Sequence, residues 1–163
     1  MQPNFFTINE IRSDVETIQR ILASGIFNPE NDGHPLFSAA FKELILCLRD
    51  LTYKTEHLSS RINFADDIVI SENVSDVTDA IRVVRDAICH ANSGNSFVQS
   101  TKVRFSLCVS YGKGSVLILP KDTLTSDYDD DVAFFYGHNR LYLFRHIIRA
   151  FNEAKQRLLP LTV

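Results

Sequence analysis

The chain has 163 residues, 45% hydrophobic and 23% charged, with a formal net charge of -3. That balance supports one globular domain with a sizeable core and argues against disorder. It also argues against a protein that coats nucleic acid by bulk charge, leaving room only for a local basic site. Cys47, Cys89 and Cys108 form no CxxC pair, and an odd count fits a reducing compartment better than a disulfide framework. No apolar run approaches the ~20 residues needed to span a bilayer, and no N-terminal segment resembles a signal peptide. The expectation is a soluble, cytoplasmic chain with no membrane partner.

Thr7-Ile8-Asn9-Glu10 has capping-box spacing, and Ile8, Ile11, Val15, Ile18, Ile21 and Leu22 make one helical stripe that stops at Gly25. Asn28 to Gly33 reads as a loop. Pro35 suits the first turn of a second helix, in which Phe37, Phe41, Leu44, Ile45, Leu48 and Leu51 recur at helical spacing to about Leu58. Ile68-Val69-Ile70 is either a short strand or an apolar anchor. A third helix begins near Ser75 or Asp76, carries Val77, Ile81, Val84 and Ile88 inward, and stops around His90, before the breakers Asn92-Ser93-Gly94-Asn95.

The period then changes. Val103, Phe105, Leu107 and Val109 alternate with polar residues as in a half-buried strand. Tyr111 to Gly114 reads as its turn, Val116 to Leu119 as a return strand ended by Pro120, and Val132 to Tyr136 as a third strand. Asn139 is expected to cap a last helix carrying Leu141, Phe144, Ile147, Ile148, Phe151 and Leu158 inward, with Arg145, Arg149 and Lys155 on its polar face. The fold class expected is mainly α: a bundle of about four helices, one domain over 1–163, with a small antiparallel β insertion at about 102–136 before the last helix.

The chemistry points to Arg85-Asp86-Ala87-Ile88-Cys89-His90 at the end of the third helix. A guanidinium matches phosphate geometry with a planar fork, and an imidazole exchanges protons near neutral pH, so the pair suffices for phosphodiester chemistry without a metal or cofactor. Five residues apart, the two diverge by roughly 140° on an ideal helix. Either the chain unwinds past Ala91 and swings the imidazole round, or a second copy completes the site. Arg82, one turn before Arg85, adds a second positive charge on that flank.

Arginine, a polar residue, three spacers and histidine resemble the signature of the HEPN (higher eukaryotes and prokaryotes nucleotide-binding) superfamily, whose members are helical bundles. The match covers residues 85–90; beyond it lies only helix order. The polar residue is Asp86 rather than the frequent asparagine, and Asn92 stands where one toxin subgroup carries a modified tyrosine. The resemblance implies a metal-independent endoribonuclease acting as a homodimer, with a toxin or antiviral defence role and, in a toxin, an antitoxin partner. It implies that His90 acts as general base or acid, that Arg85 stabilises the phosphorane-like transition state, and that Asp86 orients one of them. Asn92, His138 and Arg140 join Arg82 as candidate RNA-binding residues, the last two because Gly137-His138-Asn139-Arg140 would open a helix that can hold a phosphate.

The alternative of the same kind is an inactive nucleotide- or RNA-binding or dimerisation module. A structural alternative makes Arg85 an ion-pair partner of another helix and His90 a helix-end cation. Other features are bland. Cys89-His90 and Cys108 lack metal-ligand spacing, Tyr111 to Gly114 lacks the full phosphate-loop pattern, and Asp127, Asp129, Asp130 and Asp131 read as a solvated loop.

Overall fold

The computed structural model describes residues 3–90, 94–98, 104–119 and 122–162. Helix α1 (Phe5–Ala23) begins three residues earlier than the capping-box reading, because Asn4 is the cap. Its side chain accepts from the Thr7 backbone N–H at 2.9 Å and from Thr7 Oγ1 at 3.1 Å. A short amide-bearing side chain in extended backbone serves this role better than a residue already inside the helix. The C-terminal stop falls where expected, with Gly25 at φ +67°. Helix α2 (Phe37–Leu58) ends at the expected residue but starts just after Pro35 rather than containing it.

Residues 59–76 cross back without a strand. Ile68 is buried as an apolar anchor, and Ser71 and Val74 make an isolated bridge. Helix α3 (Val77–Cys89) is capped by Asp76, which accepts from Asp79 N–H at 2.9 Å. Val77, Ile81 and Val84 are buried, as their spacing predicts, and Ile88 packs at the margin of the core.

The C-terminal half departs from expectation. Among the described residues there are five strands: β1 (Cys108–Tyr111), β2 (Gly114–Leu119), β3 (Asp122–Ser126), β4 (Val132–Tyr136) and β5 (Asn139–Tyr142). They form two antiparallel sheets, ordered β1-β4-β5 and β2-β3. The two strands expected to form a hairpin across Gly112 do not pair with each other: β1 pairs with β4, Cys108 opposite Phe135, and β2 pairs with β3. Of the alternating run expected as the first strand, only its last residues are in β1; Val103 and Pro120 lie outside the described residues.

Asn139 does not cap a helix. It opens β5, and Gly137-His138 is the β4–β5 turn, with Gly137 at φ +60°. A β-carbon at Gly137 would fall 2.3 Å from the Asn95 carbonyl oxygen, so close approach as well as backbone angle requires glycine. The last helix starts later, as a wide π-helical segment (Leu143–Ile148) running into α4 (Arg149–Leu158).

Helix α2 is the centre of the core, packing against α1, α3 and α4. Strand β4 supplies the other side. Val132, Phe134 and Tyr136 join the main core, where Phe134 stacks on Phe41 with ring centroids 4.7 Å apart and meets Phe27 edge-on at 5.3 Å. The alternate residues Ala133 and Phe135 face a second cluster with Val98, Leu124 and Tyr142. A strand buried on both faces is part of the protein's interior. The protein is therefore mixed α/β, which corrects the expected mainly α bundle: the sheet is a layer of the core, and β5 lies beyond the 102–136 segment expected as an insertion.

Candidate functional site

Helix α3 carries the predicted residues to the surface. At its start, Arg61 bonds Asp76 at 2.7 Å and reaches Glu56 and Asp79 at 2.9 Å each, and Asp76 caps the helix. At its end, His90 leaves helical backbone (φ −119°, ψ 103°) while its N–H still donates to the Asp86 carbonyl at 3.0 Å. The imidazole is exposed. The helix stops at the residue the sequence indicated.

Between α2 and α3 lies an open cleft of about 300 Å³, lined by Leu46, Arg49, Asp50, Tyr53, Arg82, Arg85 and Asp86. Arg85 Nη1 donates to Asp86 Oδ1 at 2.9 Å, a pair between sequence neighbours that is 40% and 31% exposed. Arg82 donates to the Asn73 carbonyl at 2.9 Å and stands 3.5 Å from Asp79. The structure thus brings Arg82, Arg85 and Asp86 together, as expected. His90 does not line this cleft, in keeping with the angular divergence of the two positions on one helix.

Arg49 and Tyr53 were not indicated by the sequence. They sit one turn apart on the polar flank of α2, with the Arg49 guanidinium carbon 5.3 Å from the Tyr53 ring centroid. Arg49 Nη1 is buried with no hydrogen-bond partner among the described residues. Burial, and then the charge of Arg82, hold the Arg49 guanidinium below its ordinary basicity; Asp86 works in the opposite direction. The one available signal was the i,i+4 placement of a guanidinium and a phenol on α2.

The opposite flank of α2 is built differently. Lys54 is nearly buried and pairs with Asp50, with Glu10 at 3.1 Å and with Asp14 at 3.9 Å. Burial, and then the hydrogen bond and charge of Asp50, push the Asp14 carboxyl up to about 7. Burial also pushes the Cys47 thiol up to about 12, reinforced by Asp14 and Glu43, so it is an inert core thiol.

The remaining predicted residues lie elsewhere. His138 and Arg140 line a separate small pocket against Thr123 and Thr125 that shares no residue with the arginine cleft. Arg140 is committed: it donates to the Thr125 carbonyl at 2.7 Å and to Asp127 at 2.6 Å, and lies over the Tyr142 ring at 4.7 Å. His138 Nδ1 lies 3.4 Å from the Phe97 carbonyl. Neither stands at a helix N-terminus, so the phosphate-holding role expected for that segment is withdrawn on geometry. Asn92 lies outside the described residues.

The acidic run is not simply solvated. Asp131 is buried and accepts from Val132, Phe144 and Arg145 backbone N–H groups at 2.8, 2.9 and 3.1 Å, and from Arg145 Nη1 at 3.0 Å. It satisfies the donors that open the last helix. The polar face expected on that helix is also engaged, with Arg149 bonded to Asp66 at 2.9 Å.

Among the described residues no group of three His, Cys, Asp or Glu is placed to hold a metal ion, and no helix is long and apolar enough to cross a membrane. Comparison of the chain with protein-family models, curated proteins and solved structures returned no match.

Proposed function

We propose that the protein is a metal-independent endoribonuclease that works as a homodimer, with Arg85 and Asp86 of one copy and His90 of the other at the scissile phosphate. The reading rests on the Arg-polar-x-x-x-His pattern, which resembles the HEPN signature, and not on the fold. The observation that supports it is the surplus of guanidinium groups in the cleft at Arg85, together with an exposed imidazole at the end of the same helix. Because His90 does not line the cleft of its own copy, a second copy is the simplest source of the proton-transferring group.

The substrate 2′-hydroxyl attacks the adjacent phosphorus. His90 takes its proton, the bond from phosphorus to the 5′-oxygen breaks, and the leaving oxygen takes a proton from water. The products are a 2′,3′-cyclic phosphate and a 5′-hydroxyl. Arg85 neutralises the charge growing on the non-bridging oxygens, and Asp86, 2.9 Å from Arg85 Nη1, fixes the direction of its fork. Loss of His90 is expected to slow cleavage by about 10²–10⁴-fold, and loss of Arg85 by about 10²–10³-fold. The test is incubation of wild-type and His90→Ala protein with total RNA and tRNA in EDTA, followed by mapping of product ends. Cyclic-phosphate ends from wild type alone support the reading; equal cleavage by both removes it.

A second reading is favoured by the Arg85–Asp86 pairing and by the absence of His90 from the cleft lining: a module that binds RNA or nucleotide without cutting. It predicts saturable binding that Arg85→Ala abolishes and no product at any protein concentration. A cytoplasmic location, and a toxin or defence role with an antitoxin partner, belong to the nuclease reading and stand or fall with it.

A further inference from the structure

We infer that the α2–α3 cleft is a receptor for a phosphoryl group, the terminal phosphate of a nucleotide or of a phosphorylated RNA end, held by Arg49, Arg82 and Arg85. For its RNA-borne form this rests on the reading above, while binding of a free phosphate needs no cleavage.

Charge bookkeeping around the cleft carries the inference. Of its two carboxylates, Asp50 is bound to Lys54 on the far flank of α2, and Asp86 is taken by Arg85. Asp79, the nearest acid to Arg82, stands closer to Arg61, at 2.9 Å against 3.5 Å. Arg49 makes no ion pair among the described residues, and its Nη1 is buried without a partner. Arg49 therefore remains without a carboxylate in a cleft that it shares with Arg82 and Arg85, while Arg82 divides Asp79 with Arg61. A buried donor without an acceptor carries its full desolvation cost, which an anion bound beside it would offset. Arg61 shows how the same helix treats a structural arginine, with a carboxylate on each side of its fork.

The acceptor that fits is planar-fork compatible, rich in oxygen and negatively charged. A phosphate monoester meets all three conditions, because guanidinium forks pair bidentately with its oxygens. A phosphodiester presents two free oxygens where a monoester presents three to the three guanidinium groups. The cleft volume of about 300 Å³ admits a phosphate with its attached sugar. Tyr53, beside Arg49, walls the cleft on the α2 side.

The test is calorimetric titration, in EDTA, of inorganic phosphate, a 5′-mononucleotide, and short uncleavable 2′-O-methyl oligonucleotides bearing either a 5′-phosphate or a 5′-hydroxyl. Wild-type protein is expected to bind the phosphate-bearing ligands saturably and the 5′-hydroxyl oligonucleotide at least tenfold more weakly. Arg49→Met, which keeps the apolar stem, is expected to weaken binding tenfold or more, and Arg82→Gln, at a more exposed position, several-fold. Tighter binding of the mononucleotide identifies a free ligand; tighter binding of the 5′-phosphorylated oligonucleotide identifies an RNA end.

The inference is overturned by absent saturable binding in the wild type, by equal binding of the 5′-phosphate and 5′-hydroxyl forms, or by unchanged affinity in both variants. Phosphate binding without RNA cleavage would sink the nuclease reading alone. Cleavage without phosphate binding would sink this inference alone.

Discussion

The two flanks of α2 hold charged groups in opposite ways. Toward α1, one nearly buried ammonium, Lys54, is surrounded by Asp50, Glu10 and Asp14. Toward α3, Arg49 faces Arg82 and Arg85, and its Nη1 has no hydrogen-bond partner among the described residues. Both groups stand on one helix beside one core, so the difference lies in compensation. A compensated cluster belongs to the fold, and its loss costs stability. An uncompensated one is costly to keep, and its worth is realised when an anion arrives.

Lys54→Met is the harshest way to separate the flanks. It strands a carboxylate cluster beside the core and is expected to destabilise the protein by about 3 kcal/mol, less than a fully buried pair because Glu10 and Asp50 remain wet. Urea unfolding at pH 7 reads it.

Next comes the pH dependence of the compensated flank. Asp14 binds a proton in the folded protein up to about 7, against 3.8 when free, so between those values the folded state holds a proton that the unfolded chain has released. Stability from this group is full below 3.8 and is lost as pH rises through about 7. Asp14→Asn is expected to flatten that decline, seen as a smaller change in urea midpoint between pH 5 and pH 8.

His146 supplies the opposite sign. It is buried, Nδ1 accepts from Tyr142 N–H at 3.1 Å, and Nε2–H donates to the Asp66 carbonyl at 2.9 Å. Burial holds its pKa below the ordinary 6.5, so the unfolded chain takes up a proton first and stability falls as pH drops below about 6.5. His146→Gln should remove that acid-side loss from the midpoint curve while lowering stability at every pH. The smallest effect is expected for Arg49→Met without ligand: no loss, and a gain of about 0.5–1 kcal/mol from removing a buried charge that repels its neighbours.

The helices were legible because apolar side chains recur every three or four residues, and that period survives any tertiary arrangement. Helix α2 ends at Leu58, and α3 ends before His90, where the sequence placed them. Strand partners were not legible. Alternation in β1 says that one face is apolar, but nothing local says that Cys108 lies opposite Phe135, with the β2–β3 hairpin between them in sequence. Gly137-His138-Asn139 was ambiguous because glycine followed by asparagine suits a hairpin turn as well as a helix start; the close approach of Gly137 to the 95–97 segment decided it. Arg82, Arg85 and Asp86 shared a flank by helical spacing alone. Arg49 joined them only through the packing of α2 on α3, which no single-helix pattern encodes.

The contrast between the two flanks is tested most directly by thermal melting of Lys54→Met and Arg49→Met beside wild type, without added phosphate, at pH 7. If compensation is what separates structure from binding, the first variant melts well below wild type and the second at or above it. A fall of similar size in both would mean that Arg49 is as structural as Lys54, and that the α2–α3 cleft is not a site held open for an anion.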